Sequence, residues 1–515
     1  MTPYVLSIDL GTSGPKVALV ALDGRVAAAR AGSVTMQRSA RRAEQDPDEI
    51  WRAVCDAVRA VVAAGGVPAA DVVAVTCASQ YFSLVPVDRD ANPLAPLVTW
   101  MDSRGARYNL EIYERHPEAF ALWAEIHGMV PLPSGADSLA HLLYFQHERP
   151  DIYERAHCFL EPMDFVLARL CATYAANPCS AFAMLLTDNR EPSIPRYDDQ
   201  LLAMAGVERD KLPPLVPVNA CLGTLRPAVA AELGLASATR VFAGVNDTQA
   251  ASIGTATFRS GTGALNVGTT AQVLAHVSAK RSDFDYEIVS MPSPLAGRHM
   301  AMAENGLGAK PLDHFLRNIA FASDAIADHR CDHPFAGIEA VLRDVQPGSG
   351  NVLFLPWLTG SGAPVGSTKA RGGFLNLSLE TTREHMVRAV LEGCALSLRW
   401  LLPAVERFAD RKFAALRFSG GAAVSDGWAQ IMADVMQRPV LQLADARHVN
   451  NRATALLAFC ELGMSDLDTV DRMCPIRREY EPRAEWRETY DLLFEQFVAC
   501  FEQLEPVFRK LNAEA

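Results

Sequence analysis

The segment YVLSIDLGTSGPKVALVALDG, residues 4–24, joins two short apolar runs through a glycine-punctuated turn with a carboxylate at its mouth. Val5 to Ile8 form one β-rich run and the apolar residues around Val17 and Leu19 form the other, with Asp9, Gly11, Thr12, Ser13 and Gly14 between them. Glycines let backbone N–H groups turn toward one point, and Thr12 and Ser13 add hydroxyl donors, so an anion can be held by uncharged groups while Lys16 adds one positive charge. Asp9 repels phosphate unless a divalent cation lies between them, so the set predicts Mg²⁺-bound nucleotide. Taken alone, the hairpin is equally an ordinary glycine-rich turn with an Asx bend. A second apolar–Gly-Thr-Thr–apolar segment, ALNVGTTAQVLAHV, begins at Ala264, and two such hairpins in one chain suggest a clamp for nucleotide phosphates.

Two further segments narrow the choice. VFAGVNDTQAASIG (241–254) is a strand-like run ending at Asn246 and Asp247, followed by a small-residue stretch of helical character; open α/β sheets place chemistry at such strand ends. The plain alternative for Asp247 is a helix N-cap. RFSGGAAVSDGWAQIMADV (417–435) runs from a strand through Gly420, Gly421 and Ala422 into a helix predicted to start near Ser425 or Asp426, and its small residues would let a flat ring approach the backbone.

Together with WMDSRG (100–105), EPMDFVLARL (161–170), FLPWLTGSGAP (354–364) and RAVLEGCALSLRWLL (388–402), these segments resemble the FGGY carbohydrate kinases of the actin/hexokinase/Hsp70 ATPase superfamily over nearly the whole chain. The resemblance implies an α/β fold of two actin-like, ribonuclease H-like ATPase domains with a cleft between them. It divides the chain into a sugar-binding domain at 1–255, with a helical insertion at about 105–215, and a nucleotide-binding domain at 256–515. ATP and Mg²⁺ are the implied cofactors. Asp9 would orient Mg²⁺ and the reacting phosphate; Asp247 would be the catalytic base, also beside the metal. Gly11, Thr12, Ser13 and Lys16 would meet the terminal phosphates from one side and Gly268, Thr269 and Thr270 from the other, with Gly420, Gly421, Ser425 and Gly308 bordering the adenosine. A nearly normal pKa is expected for Asp247, because in a loose transition state the hydroxyl proton leaves late.

For the acceptor, Gln80, Tyr81, Phe82, Trp100, Asp102, Arg104 and Thr248 are the implied contacts, and core packing is an equal reading for Trp100. Here the chain departs from its family. Tyr81-Phe82 stands where xylulose kinases usually carry Met-His, which exchanges a ring donor and acceptor for apolar stacking surface. Thr248 follows Asp247 where xylulose kinases resemble Asn and glycerol kinases Gln. His141 and Tyr144, in SLAHLLYFQHE, replace the Lys and Trp of the family's first consensus pattern. D-Xylulose or a related pentulose is the leading expected substrate. Ribulose, a hexulose, a tetritol or a glycerol-like compound, or a non-catalytic sensor of sugar or nucleotide, are the alternatives.

With 515 residues the chain exceeds one typical domain, and its net charge of −12 argues against a nucleic-acid partner. No apolar stretch of about 18 residues is present, so no membrane association is expected. The N-terminus enters a strand by residue 4 without the features of a signal peptide. Eleven cysteines without C-x-x-C spacing read as reduced residues of a cytoplasmic protein, and His314, His329 and His333 are close in sequence without forming a ligand pattern. A homodimer is left open.

Along the chain, residues 1–33 read as a β-meander and 46–64 as an amphipathic helix capped by Asp46 with Pro47 in its first turn. A strand is expected at 71–87, a repeat of the meander logic at 261–300, helix over 304–345 and 378–411, and a packed helix at 480–513. The domain boundary is expected around 248–260. A cleft between two domains implies a hinge that closes when sugar binds.

Overall fold

The first hairpin forms because its glycines permit the tight turn that its two apolar runs demand. In the structure, a computed structural model describing residues 2–326 and 328–513, Tyr4–Gly11 and Gly14–Ala21 pair antiparallel with Asp9 opposite Lys16, and Val26–Ala31 adds a third strand. Residue 1, residue 327 of the stretch expected to be helical, and residues 514–515 of the expected second domain lie outside the described residues.

The first sheet runs Val26–Ala31, Gly14–Ala21, Tyr4–Gly11, Val72–Ser79, Arg240–Phe242, Cys221–Thr224, with Val245–Asn246 beside the end of Val72–Ser79. Tyr4–Gly11 is parallel to Val72–Ser79, which is parallel to Arg240–Phe242. In the chain the helix Pro47–Gly65 leads from Val26–Ala31 toward Val72–Ser79, and it packs on Gly14–Ala21 and Val26–Ala31. Asp46 caps it by accepting from Asp48 N (2.9 Å), and its apolar stripe of Ile50, Trp51, Val54, Val58 and Val61 is buried on the sheet.

The second sheet repeats this plan. His299–Leu307, Thr270–Val277, Thr262–Val267, Ala415–Ser419 and Val440–Leu443 follow one another in the same relative order and the same strand senses. Ser282–Asp283 and Ile288–Pro292 are added at one edge and Ile476–Tyr480 at the other. The helix Arg383–Phe408 matches Pro47–Gly65 in position along the chain. A duplication that sequence identity between the halves could not establish is therefore plain in the topology.

One stretch differs from expectation. Residues 304–345 were expected to be helical, but His299–Leu307 is a strand that runs into them; helix occupies Lys310–Phe315, extended by a wider turn to Ala320, and Ile338–Asp344. From Ala301 the strand alternates buried Ala301, Ala303 and Asn305 with half-buried Met302, Glu304 and Gly306, the two-residue period of a strand. Residues 105–215 form a mostly helical lobe with its own core around Trp123, Leu142, Phe145 and Phe159.

Two helices join the halves. Asp247–Gly254 follows the fifth strand of the first sheet, Val449–Glu461 follows the fifth strand of the second, and they pack on each other. At Gly254 they approach so closely that a Cβ there would lie 2.5 Å from Val449 Cγ2. Val449–Glu461 lies on the strands of the opposite domain. Asn451 Nδ2 donates to the carbonyls of Ser7 and Lys16 (both 3.1 Å), the Ser7 and Thr454 hydroxyls meet at 2.8 Å, and Arg452 Nε donates to Gly24 O (2.9 Å). These polar groups are buried and mutually satisfied, so they fix the register of helix on strand.

Candidate active site

Asp9 comes late in its strand, only 2% exposed. Lys16, its register partner across the hairpin, donates to Asp9 Oδ2 at 3.0 Å, and Asn450 Nδ2 approaches Asp9 Oδ1 at 3.4 Å from the crossing helix of the other domain. The charge of Asp9 holds the Lys16 ammonium above its ordinary pKa, and Asp247 adds to the effect.

Asp247 opens the helix Asp247–Gly254 but does not cap it. Asn246 does, through a capping box in which its side chain accepts from Gln249 N (2.7 Å) and Gln249 Oε1 accepts from Asn246 N (3.1 Å). The Asp247 carboxylate instead accepts from Thr248 N (2.7 Å). Burial first, and the charge of Asp9 second, push its pKa up to about 7. That corrects the expectation of a nearly normal value: water is withdrawn from the carboxylate and a like charge is nearby.

Do these residues fit a magnesium ion? Asp9 and Asp247, close enough for the charge of Asp9 to raise the Asp247 pKa, form an all-oxygen set with Asn450 Oδ1, which is buried and lacks a hydrogen-bond partner. Mg²⁺ commonly takes one or two carboxylates and completes its shell with water and phosphate oxygens, so the set fits. Among the described residues no group of three or more His, Cys, Asp or Glu is arranged to hold a metal by itself, and this includes His314, His329 and His333.

Beside the acids, the turn of the first hairpin is tied to the acceptor wall. Thr12 Oγ1 donates to Gln80 Oε1 (2.7 Å) and accepts from Trp100 Nε1 (3.1 Å), while Gln45 donates to Thr12 O (2.8 Å) and accepts from Gln80 Nε2 (2.9 Å). The hydroxyl of Thr12, expected to meet phosphate, is thus committed to Gln80 and Trp100; Ser13 is exposed and Gly11 half-buried. Gln45 was missed by sequence reasoning, since it sits in the featureless run RRAEQD.

Arg104 is held by Asp102 (2.9 Å) and by Glu44 (2.6 Å) and lies 4.5 Å above the centre of the Tyr144 ring. Asp102 is fully buried and also accepts from Ala43 N (2.8 Å), which sets it behind the wall. His141 packs under it, with Nε2 3.2 Å from Asp102 O and its pKa pushed down to about 4 by burial, so that it is neutral.

Tyr81 and Phe82 are half-buried with ring centres 4.7 Å apart, Phe82 holding a left-handed backbone (φ 54°). The Tyr81 hydroxyl meets Thr248; burial foremost, then the charges of Asp247 and Glu304, raise its pKa. The second domain reaches the same spot: Gln272 Nε2 donates to Glu304 Oε2 (3.0 Å) and lies 3.5 Å from Thr248 Oγ1. Gln272 and Glu304 were also missed, although Gln272 lies only two residues past the Gly-Thr-Thr turn.

The second turn is pinned by its neighbours. Gly268 N donates to Thr270 O (2.9 Å), Gly308 N to Thr269 O (2.9 Å) and Ala309 N to Gly268 O (2.8 Å). Gly420 (φ 87°) passes so near the base of this turn that a Cβ would sit 2.5 Å from Val267 O, whereas Gly421 faces open space. Ser425 caps the helix Asp426–Met436, accepting from Trp428 N (3.0 Å) and donating to Glu339 Oε1 (2.6 Å).

Two duplicated α/β domains linked by crossing helices carry this site, with Asp9, Lys16 and Asp247 close together and Tyr81, Thr248, Gln272 and Glu304 meeting beside them. Models described as the FGGY family of carbohydrate kinases, N-terminal and C-terminal domains, match residues 4–254 and 256–449, and the chain belongs to that family. It is similar to a gluconokinase of Bacillus licheniformis (26% identical, covering 99% of this chain and 98% of that one) and to a xylulose kinase of Bacillus subtilis strain 168 (25% identical, 96% of each). Among solved structures it superposes on gluconate kinase from Lactobacillus acidophilus with a TM-score of 0.84 at 22% identity, covering 99% of this chain and all of that one. The chain is a sugar kinase of this family, and relatives of differing substrate are equally near.

Proposed function

We propose that the chain transfers the γ-phosphate of Mg-ATP to a hydroxyl of a ketose or polyol, with D-xylulose and related pentuloses first, and that it does so in the cytoplasm. The observation that carries this is Asp247: relieved of capping by Asn246, beside the Asp9–Lys16 pair, its carboxylate next to Thr248 and the Tyr81 hydroxyl. The sugar would sit on the residues 1–255 side, against Gln80, Tyr81, Phe82, Trp100 and Arg104, and the nucleotide on the residues 256–515 side, near Gly268, Thr269, Thr270, Gly308, Gly420, Gly421 and Ser425.

Asp9 would hold Mg²⁺, with Asp247 beside it, and the ion when bound would neutralise charge on the transferring phosphoryl group. Lys16 aims the Asp9 carboxylate through their 3.0 Å contact. Asp247 takes the proton of the attacking hydroxyl, and Thr248 N–H orients the carboxylate that accepts it. Tyr81 and Phe82 offer ring surface where the xylulose kinases usually carry Met-His, which leaves room for other ketoses and for polyols.

The test is ADP release over pentuloses, hexuloses, pentitols, tetritols and glycerol. Asp247→Asn should lower kcat by about 10²–10⁴-fold with the KM for ATP little changed. If no acceptor raises ADP formation above the Asp247→Asn blank, kinase action on these compounds is refuted.

A further inference from the structure

Glu304 belongs to no motif of the chain, yet its carboxylate meets Gln272 and Thr270 of the neighbouring strand and lies near Tyr81 and Thr248. The alternation of His299–Leu307 puts it on the face of the strand it shares with Met302 and Gly306, and its carboxylate is half-buried and held by Gln272 Nε2 at 3.0 Å. The same nitrogen lies 3.5 Å from Thr248 Oγ1, and the Tyr81 hydroxyl, which hydrogen-bonds Thr248, feels the charges of both Asp247 and Glu304. Tyr81 and Thr248 of the first domain and Gln272 and Glu304 of the second thus bridge the cleft next to Asp247.

The charges here are unbalanced. Asp9, Asp247 and Glu304 supply three carboxyl groups, and burial raises the pKa of Asp247 and of Glu304, so the cluster is most negative toward alkaline pH. Lys16 is taken up by Asp9, and Arg104 by Asp102 and Glu44. Neither cation is left without an acidic partner to meet a second anion on the acceptor, and closure of the cleft would strengthen every charge interaction by removing water.

On the kinase reading above, we infer that Glu304 is a specificity residue: its carboxylate accepts a hydrogen bond from a hydroxyl of an uncharged polyhydroxy substrate and rejects sugar acids. A hydroxyl satisfies the carboxylate, whereas an aldonate brings a like charge against it, so one residue both attracts the right class and repels the wrong one. The outcome is not foreshadowed by kinship, since gluconokinases and xylulose kinases are equally similar to the chain.

The experiment compares D-xylulose with D-xylonate, and a hexulose with D-gluconate, in the full-length protein with Mg-ATP. The wild type should favour the neutral member of each pair at least tenfold in kcat/KM, mostly through KM. Glu304→Gln should shrink that preference at least tenfold, Glu304→Asp should keep it, and the KM for ATP should stay within threefold in both. Equal use of the acid and the ketose by the wild type would overturn the inference; so would a preference unmoved in Glu304→Gln, or a change confined to the KM for ATP. Should no compound be phosphorylated, the kinase reading fails by itself, and thermal-shift binding with a non-hydrolysable ATP analogue still decides: stabilisation by ketoses and not by aldonates supports the role of Glu304, and equal stabilisation refutes it.

Discussion

At the scale of single residues, the most consequential feature is an acid that releases its proton late. Asp247 has a pKa of about 7 in the folded chain, above the 3.8 of an ordinary aspartate. A raised acid contributes stability in full below its unfolded value, and that contribution is lost as pH rises through the folded value. Asp247→Asn, which cannot ionise, should therefore gain on the wild type between pH 4 and pH 7, on the order of 4 kcal/mol, and no further above pH 7. Urea unfolding in EDTA without nucleotide measures this, and a wild-type-to-variant difference independent of pH would refute it. In turnover the same group must be ionised to take a proton, so kcat/KM should fall on the acid side, with a limb at or below about pH 7 because bound Mg²⁺ favours the carboxylate. That Asp247 and Asp9 carry the chemistry could be proposed from strand-end position and glycine context alone. The altered pKa could not, because it depends on burial and on a neighbour 238 positions away.

At the scale of elements, the contact between Asp247–Gly254 and Val449–Glu461 is the sharpest constraint. A Cβ on Gly254 would meet Val449 Cγ2 at 2.5 Å and Val449 O at 3.0 Å, so Gly254→Ala should cost about 1–3 kcal/mol by overpacking. Adding Val449→Ala should recover part of the loss, because it removes the nearer atom and leaves the carbonyl. Calorimetric Tm values of the two variants check this, and an unchanged Tm for Gly254→Ala would mean that the helices do not touch there. Several elements were legible: the Asp46-capped helix, the Gly-Gly turn before the Ser425 cap, and the terminal helix Arg487–Leu511, which buries Tyr490, Leu493, Phe497 and Phe501. The strand His299–Leu307 was not, because its outward positions carry Met302 and Gly306 as well as Glu304, and small and apolar residues on both faces blur a two-residue period.

At the scale of the molecule, each domain sends a helix across to the other, and the cleft residues belong to both. Asn450 and Asn451 of the second half touch Asp9, Ser7 and Lys16 of the first, so relative domain movement would change what surrounds Asp9. Small-angle scattering with D-xylulose and a non-hydrolysable ATP analogue should give a smaller radius of gyration than the free protein, and an unchanged value would count against closure. Among the described residues no helix is long and apolar enough to cross a membrane.

The amino-acid sequence by itself determined the family, the two glycine hairpins and the two strand-end acids Asp9 and Asp247, because hairpin turns, strand ends and helix caps are local and each leaves a mark in a short window of residues. Tertiary structure alone decided that Asn246 rather than Asp247 caps its helix, that Thr12 bonds to Gln80 and Trp100, and that Gln272 and Glu304 face Tyr81 across the cleft. Those pairings join residues far apart in the chain, and their energies arise from desolvation and proximity that exist only once the two sheets are folded and docked.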